Sequence, residues 1–391
     1  MSDVFKYLLK YEQKWCDMMG YFNPYVDPFT THLTDKMPFF DKPCYHRYPR
    51  HNFVYDKLWI VKSQGLAGGR LEKLKGKEDK VSYPIFIKPR WGHLSASSKN
   101  CFKINSAEEL KKYIDYKNMM WSEFYKETEL MTDYVLLDGR IVHQMTSVYS
   151  DKQNGFSDDW KYVSPESKAL PNVTDWVNQH MKEFTGIVNV QCRGDKIIEV
   201  SLRLSRGGAY LLSTENDALI QNINDIFNTK TWKHGLTDEM KFKPFYVYKC
   251  FTTLPIVYLF PQKIIDSFIT KHTKHPFYEY YFEPTGSSGM VFFQFIDDDF
   301  ERGMQTKLKI EKIFNYTQMI TYVLLFIMVL VLFTQWKYKY IVALTILVLW
   351  LTRFFNPIIA NYKLYKGQKQ SLFKEGPTKD TADDIEPFDN P

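Results

Sequence analysis

Residues 188–208 read VNVQCRGDKIIEVSLRLSRGG, and this stretch determines how the rest of the chain is interpreted. Apolar and polar residues alternate on both sides of Arg193-Gly194-Asp195, which predicts a β-hairpin that turns at those three residues. We expect Cys192 to pair with Lys196. Because strand side chains point alternately to opposite faces, that pairing places four polar groups on one face of the sheet. They are Gln191, Glu199, Ser201 and Arg203.

The polar face of this hairpin is suited to binding phosphate and metal. The side-chain oxygens of Gln191 and Glu199 are hard ligands of the kind that Mg²⁺ prefers, and Arg203 suits a phosphate that is being transferred. The alternative is a hairpin with one solvated face, which the apolar residues on its other face equally permit. Those apolar residues are Val188, Val190, Ile198, Val200 and Leu202.

A second candidate phosphate site follows the predicted strand Tyr83–Lys88. Lys88 supplies positive charge at the end of the strand, and backbone N–H groups of the next loop can surround phosphate oxygens. The loop residues in question are Gly92, Ser95, Ser97 and Ser98. A surface loop after an edge strand has the same composition, so this signal alone leaves both interpretations open.

Between Asp56 and about Leu212, helical and strand periodicities alternate, as is typical of an α+β nucleotide-binding module. Two helices are predicted here, one that begins at Lys57 and ends at Gly65, and one over Ala107–Asp115 with a capping box of Ser106 and Glu109. The predicted strands are Cys101–Ile104, Asn118–Phe124, Glu129–Leu137 and Ile141–Val148. A turn at Asp138-Gly139 joins the last two strands.

From about Asp56 to Thr214 the chain resembles the ATP-grasp superfamily. Its hairpin is especially similar to that of the carbamoyl-phosphate synthetase and biotin carboxylase branch. In that branch the motif runs N-V-Q-F, a few residues, then I-E-M-N-P-R-x-S-R, and this chain has NVQC followed by IIEVSLRLSR. Three further segments occur in the family's order, namely DK at 56–57, PIFIKP at 84–89 and WSEFYKETEL at 121–130.

The resemblance implies two α+β subdomains with ATP between them, and it implies roles for the matching residues. Lys57 and Lys88 would hold the α- and β-phosphates, and Ser95, Ser97 and Ser98 are the candidate ATP-binding residues of the loop that follows Lys88. The remaining implied ATP contacts are the adenine-recognising hinge Glu123, Phe124 and Tyr125, and the ribose ligand Glu129.

The same resemblance implies a metal and a catalytic cation. Gln191 and Glu199 would hold Mg²⁺, with Ser201 as a weaker ligand, and Arg203 together with Lys88 would stabilise the charge that develops on the transferred phosphoryl group. The implied cofactors are therefore ATP and one or two Mg²⁺ ions. Phosphoryl transfer needs positioning, metal and cations more than a protein nucleophile, which agrees with these residue types.

The chain departs from the family pattern at two positions of the hairpin and before it. Ser201 and Leu202 stand where the family has Asn and Pro, and a hydroxyl is a poorer Mg²⁺ ligand than an amide oxygen. The residues before Asp56 are also too few for the separate α/β domain that commonly precedes this fold. We therefore expect part of the usual acceptor-substrate site to be missing.

Near the C-terminus the sequence predicts a membrane anchor. Residues Thr317–Thr334 read TQMITYVLLFIMVLVLFT, carry no charge and would span about 27 Å as a helix, close to the thickness of a hydrocarbon core. A second apolar run begins at Tyr340 and continues past Arg353, so a two-helix hairpin over 317–358 is predicted. Arg353 and Pro357 leave a short or re-entrant second helix as the alternative. Lysines and arginines flank the pair on its outer ends, which predicts that the N-terminal body and the C-terminal tail both face the cytosol.

The remaining sequence completes the predicted organisation. Its parts are a reduced N-terminal region with a helical start (1–55), the ATP-grasp core (56–215), a β-rich C-terminal subdomain (216–310), the hairpin and a disordered acidic tail (376–391). The five cysteines are scattered and odd in number, which favours a reducing compartment. Cys44, His46 and His51 fit no standard zinc spacing. Lysines and arginines are interleaved with acidic residues, so no nucleic-acid partner is expected.

These observations predict an ATP-dependent carboxylate–amine ligase at a membrane, which converts an unidentified small-molecule or protein carboxylate into an acylphosphate. The first alternative is a pseudoenzyme that binds ATP, or only keeps the fold, while it recruits partners. A structural membrane protein without a nucleotide site is the second.

Overall fold

The computed structural model describes residues 33–34, 36–38, 41–94, 101–151, 153–154, 157–233, 242–252, 254, 275–277 and 290–348. These residues form two compact units. The first unit contains the described residues of 29–151 and 162–244, and the second contains those of 152–161 and 245–348. Both helices and antiparallel sheets are present, so the α+β class predicted from the sequence is confirmed.

The helices carry some of the site residues, including Asp41 and Lys57. They are α1 (Asp41–Arg47), α2 (Lys57–Ser63), α3 (Ala107–Leu110), α4 (Pro171–His180), α5 (Ala209–Leu212), α6 (Asp217–Asn228), α7 (Phe300–Val331) and α8 (Lys339–Val348).

Fourteen strands lie within the described residues, several of them consecutive along the chain. They are β1 (Gly68–Arg70), β2 (Ile85–Pro89), β3 (Phe102–Ile104), β4 (Met119–Glu123), β5 (Glu129–Leu137), β6 (Arg140–Tyr149), β7 (Gln153–Asn154), β8 (Ser157–Asp158), β9 (Trp160–Ser164), β10 (Gly186–Arg193), β11 (Lys196–Ser201), β12 (Phe245–Thr252), β13 (His275–Phe277) and β14 (Met290–Asp297).

The first unit contains a small antiparallel sheet of order β1-β4-β2-β3. Its apolar face carries Ile85, Ile87 and Ile104, which pack with Leu110 of α3. The capping box is present, since the Glu109 N–H donates to the Ser106 hydroxyl at 3.2 Å. The predicted helix Ala107–Asp115 is wrong in length, because α3 ends at Leu110. The amides of Lys112 and Tyr113 bond three residues back, as in a tighter 3₁₀ turn.

A second set of antiparallel strands in the first unit runs in the order β11-β10-β5-β6. One face is apolar and packs against α4, where burial of each large side chain contributes about 1.5–3 kcal/mol. That core includes Tyr134, Val188, Val190 and Val200 from the strands, and Val173, Trp176 and Val177 from the helix. The opposite face of the same strands carries the polar residues of the candidate site.

The hairpin register differs from the prediction at its turn. Arg193 pairs with Lys196 across a two-residue turn, and Gly194 adopts the positive φ of 54° that such turns require. Cys192 therefore lies opposite Ile197, and the expected pairing with Lys196 is wrong. A bulge between Gln191 and Cys192 absorbs the one-residue shift and brings Gln191 opposite Glu199. The two oxygen-bearing side chains thus share a face as expected.

The second unit pairs β12 with β14 and β14 with β13, and packs α7 against β12. Gly303 of α7 allows close approach, because a Cβ atom there would lie 2.2 Å from the ring of Tyr248. The helix begins at Phe300, where the Asp299 side chain accepts from the Arg302 N–H, and ends at Val331. The apolar stretch Thr317–Thr334 thus continues a helix that begins 17 residues earlier and already packs on the sheet, and the helix ends three residues before Thr334.

Among the described residues, α7 is the one helix long and apolar enough to cross a membrane by length and composition. The helix α8 is apolar but shorter. The predicted second membrane segment beyond 348, with Arg353 and Pro357, lies outside the described residues, as do the N-terminal helix and the acidic tail 376–391.

Candidate functional site

Two lysines from separate elements converge on the polar hairpin. The Lys57 ammonium lies 3.2 Å from the Glu199 carboxylate, and the Lys88 ammonium donates to the Ile198 carbonyl at 2.7 Å. Both lysines are buried, at 4% and 6% exposure, although lysine is almost never buried without a specific reason. The structure therefore brings together three charged residues that are far apart in the sequence.

The position of Lys57 is determined by its neighbour Asp56. The Asp56 side chain caps α2 by accepting from the Leu58 N–H at 3.0 Å, and it also forms a two-point ion pair with Arg90 at 2.8 and 2.5 Å. The Lys57 N–H donates to the Arg90 carbonyl at 2.9 Å. Lys57 is thus the first residue of a capped helix, and its backbone is fixed on both sides.

Lys88 projects from β2 into the same region of the site. Burial, together with repulsion from the Lys57 ammonium, lowers the pKa of Lys88 to about 8. The Lys88 ammonium donates to a neutral carbonyl, so the repulsion between the Lys88 and Lys57 ammonium groups is only partly compensated. A polyanion such as a phosphate chain would supply the missing negative charge.

The hairpin supplies the oxygen ligands that Mg²⁺ requires. Gln191 and Glu199 are cross-strand partners, and the Glu199 side chain remains about one-third exposed. The amide nitrogen of Gln191 faces Met131 Sδ at 3.8 Å. Ser201 is buried on the same face but carries only a hydroxyl. Gln191 and Glu199 are therefore the side chains on this face that could contribute oxygen ligands to a Mg²⁺ ion.

The segment predicted to recognise adenine follows β4. Glu123 ends that strand, and the Phe124 N–H donates to the Pro84 carbonyl at 3.3 Å, so this amide already has a backbone partner. The buried Tyr125 ring faces the Lys196 ammonium at 5.5 Å. Burial, with the nearby Glu123 carboxylate, raises the pKa of Tyr125 to about 12.

The predicted ribose ligand Glu129 is itself paired. Its carboxylate accepts from Arg193 at 2.7 Å, next to the hairpin turn. This pairing ties the first residue of β5 to the last residue of β10. Glu129 is buried, so a ribose would have to share or displace the Arg193 contact.

Arg203 is held by residues of the N-terminal part of the chain. Its guanidinium lies 2.9 Å from the Asp41 carboxylate of α1. One residue earlier, the Leu202 N–H donates to the Tyr55 hydroxyl at 3.0 Å, and the Leu202 carbonyl accepts from the Cys44 thiol at 3.1 Å. The sequence analysis missed Asp41 and Tyr55 as site residues. The one available signal was Leu202, because a proline at that position would have no N–H to donate.

A second group that the sequence did not reveal lies one strand further along the polar face. Asp133 is buried in β5 and accepts hydrogen bonds from the Asn189 amide at 2.7 Å and from the Ser205 N–H at 3.0 Å, and it also contacts the Ser205 hydroxyl. Burial raises the pKa of Asp133 above its ordinary value. A carboxylate within an apolar strand is the pattern that could have indicated this network.

Some predicted site residues are not tested by the geometry. Ser95, Ser97 and Ser98 lie outside the described residues, whereas Gly92 lies within them and packs near the Lys57 side chain. Within the described ranges, no group of three or more His, Cys, Asp or Glu residues could hold a metal ion. Cys44, His46 and His51 accordingly form no metal centre there.

Comparisons with known proteins find similarity to solved structures only. No protein-family model matches the chain, and no curated protein matches it. The chain is similar to an L-amino acid ligase from Bacillus licheniformis (13% identity, TM-score 0.48, covering 66% of this chain and 71% of that one). It is also similar to carboxyaminoimidazole ribonucleotide synthase from Aspergillus clavatus complexed with ATP (9%, 0.49, 70% and 80%).

A third similar structure is the biotin carboxylase domain of Hydrogenobacter thermophilus 2-oxoglutarate carboxylase, in complex with MgADP and bicarbonate (12% identity, TM-score 0.40, 62% of each chain). Because the identities are low and each of these TM-scores is below 0.5, the functional assignment depends on the residues of the site itself.

Proposed function

We propose that this chain is an ATP-grasp enzyme that binds Mg-ATP and works as an ATP-dependent carboxylate–amine ligase. The observation that carries the proposal is the cluster of Lys57, Lys88 and Glu199 at the polar hairpin, where the ammonium–carboxylate distance is 3.2 Å. Two buried ammonium groups beside one carboxylate favour binding of a phosphate chain together with a divalent cation.

In the proposed reaction, a carboxylate oxygen of the acceptor attacks the γ-phosphorus of ATP, and the bond to the ADP oxygen breaks. The acylphosphate that forms is then attacked by an amine, so a C–N bond replaces the C–O bond, phosphate leaves and the amine loses one proton. Lys57 and Lys88 would position the phosphates, and Arg203 would compensate the charge on the transferred group. Mg²⁺, held by Gln191 and Glu199, would neutralise part of the phosphate charge.

The nucleoside end of ATP would lie along the segment after β4. Glu123, Phe124 and Tyr125 form that segment, and the Phe124 N–H is already bonded to Pro84. We therefore assign adenine recognition to the other backbone groups of the hinge. The ribose hydroxyls would take the place of the Arg193 guanidinium at the Glu129 carboxylate.

We further propose that the protein is tethered to a membrane by α7, with its body and tail on the cytosolic side. The helix is long and apolar enough, and its lipid-facing candidates include exposed phenylalanine, leucine and isoleucine side chains. In this proposal α8, a shorter apolar helix, would be the first part of the returning helix.

The test is calorimetric titration of Mg-ATP into the full chain in lipid nanodiscs, alongside Lys88→Ala and Lys75→Ala variants. Lys75 is an exposed lysine that pairs with Asp115 at 2.6 Å, away from the hairpin, and serves as the matched control. We expect binding to be lost in Lys88→Ala and kept in Lys75→Ala. Absence of binding to the unaltered protein would refute the proposal. Binding without ADP release across a panel of carboxylates and amines would instead favour the scaffold alternative.

A further inference from the structure

Helix α7 is anchored firmly to the second unit before it becomes apolar on all sides. The Phe251 N–H of β12 donates to the Glu311 carboxylate at 2.9 Å, and Glu311 also accepts from Lys307 at 2.7 Å. One residue further along the strand, the Thr252 hydroxyl donates to the Asn315 side chain at 2.7 Å. The helix is therefore a rigid continuation of the folded unit and not a flexible linker.

Burial continues along one face of α7 beyond these hydrogen bonds. Ile310, Phe314, Gln318 and Thr321 are all buried, with the helical spacing of four, four and three residues. Thr321 has 0% exposure. No residue from 322 to 348, within the part of the chain that the structure describes, is buried. Among the described residues of α7, buried positions on this face therefore end at Thr321.

The outward face of the same turns is apolar and exposed. Ile313, Tyr316, Met319 and Ile320 lie on it, and the last two are 54% and 52% exposed. Lys312 is the last charged residue before Lys337, so this apolar face has no charge among the side chains that follow it on the helix. A soluble protein rarely leaves such a run of large apolar side chains in water.

The length of α7, compared with the thickness of a bilayer, indicates what covers the exposed apolar face of the helix. The part of α7 after Thr321 is about 15 Å long at 1.5 Å per residue, which is half of a hydrocarbon core of about 30 Å. The part from Ile313 to Val331 is about 28 Å long and matches the core. A bilayer whose far edge lies at Val331 would therefore begin near Ile313, where the inner face of the helix is still covered by protein.

We propose that the second unit is seated in the near leaflet of the bilayer, so that lipid contacts α7 along Ile313, Tyr316, Met319 and Ile320. This inference rests on the proposed tether. The groups at the entry point fit a headgroup layer, because Lys309 and Lys312 are exposed there and the Lys312 ammonium lies 5.9 Å from the Tyr316 ring. Lysine and tyrosine are favoured at the membrane interface, where phosphates meet the acyl chains.

The experiment places a nitroxide at single positions of the full chain in nanodiscs of phosphatidylcholine and phosphatidylserine. A genetically encoded ketone side chain carries the label, so the native cysteines remain unchanged. The positions are Gln305, Ile320 and Leu324, all exposed on α7, and the readout is collision with oxygen, which partitions into lipid, against a water-soluble nickel chelate. We expect Gln305 to be accessible to nickel, and Ile320 and Leu324 to be accessible to oxygen.

Two other results separate the possible failures. Nickel access at Ile320 with oxygen access at Leu324 would overturn the seated unit while leaving the tether intact. Nickel access at both positions would overturn the tether and the inference together, without bearing on ATP binding by the first unit.

Discussion

Replacing Tyr55 by phenylalanine removes one hydroxyl from the interior of the first unit. Tyr55 and Leu202 are both almost fully buried, and the Tyr55 oxygen accepts the Leu202 N–H at 3.0 Å. In Tyr55→Phe the Leu202 N–H loses this hydrogen-bond acceptor, and because Leu202 is buried, water cannot replace it. Leaving a buried donor unsatisfied costs about 1–3 kcal/mol, so the local opening free energy around Leu202 should fall by that amount.

Hydrogen exchange followed by mass spectrometry measures this effect directly. A loss of about 1–3 kcal/mol corresponds to exchange about 5- to 150-fold faster in peptides that cover Leu202. Tyr113→Phe is the matched control, because Tyr113 packs in the core of the small sheet and should leave these peptides unchanged. Exchange that stays within a factor of about two of the unaltered protein would refute the role of Tyr55.

Three further predictions concern the charged site and the second unit. Because burial and Lys57 lower the pKa of Lys88 to about 8, we expect Mg-ATP affinity to fall as the pH rises from 7 to 9, and calorimetry of Lys88→Arg, whose guanidinium stays charged over this range, should show a flatter profile. Asp41→Asn should lower the rate of ATP turnover more than Mg-ATP affinity, because the guanidinium of Arg203 loses its carboxylate partner. Asp41→Glu should keep part of the rate. Equal loss of turnover rate and affinity in Asp41→Asn would count against a role of Asp41 in positioning Arg203. Gly303→Ala should destabilise the second unit by about 1–3 kcal/mol, since its Cβ would meet the Tyr248 ring, and a denaturant midpoint unchanged from that of the parent would contradict this.

The strand and helix pattern of the first unit was largely predictable because it depends on local periodicity. Strand β5 has the predicted bounds, and Asp138-Gly139 forms the predicted turn with positive φ at both residues. The hairpin turn was predicted one residue too long. Gln191 and Glu199 nevertheless share a face as predicted, because the bulge beside Gln191 absorbs the shift, but Ile197 and not the predicted Ile198 lies in the apolar core.

The partners of the site residues could not be predicted in the same way. Asp41 and Arg203 are joined by an ion pair between two elements that lie far apart in the sequence, and no periodicity relates them. The same applies to Lys57 and Glu199 as a specific contact, although each was named as a candidate. Sequence patterns indicate which face a side chain occupies, whereas pairing across elements depends on how the sheets and helices pack.

The charge balance around Lys88 is the strongest physical argument that this arrangement serves a ligand. A structural ion pair would place each buried lysine against its own carboxylate, because an uncompensated buried charge is destabilising. Lys57 has Glu199 at 3.2 Å, but Lys88 donates to a neutral carbonyl, and burial together with repulsion from Lys57 lowers its pKa by more than the Glu199 and Glu129 carboxylates raise it. Folding alone would be better served by an apolar residue at this position. Groups held in such an unfavourable state are concentrated at functional sites, and here a bound phosphate chain would remove the repulsion and raise the pKa of Lys88 again.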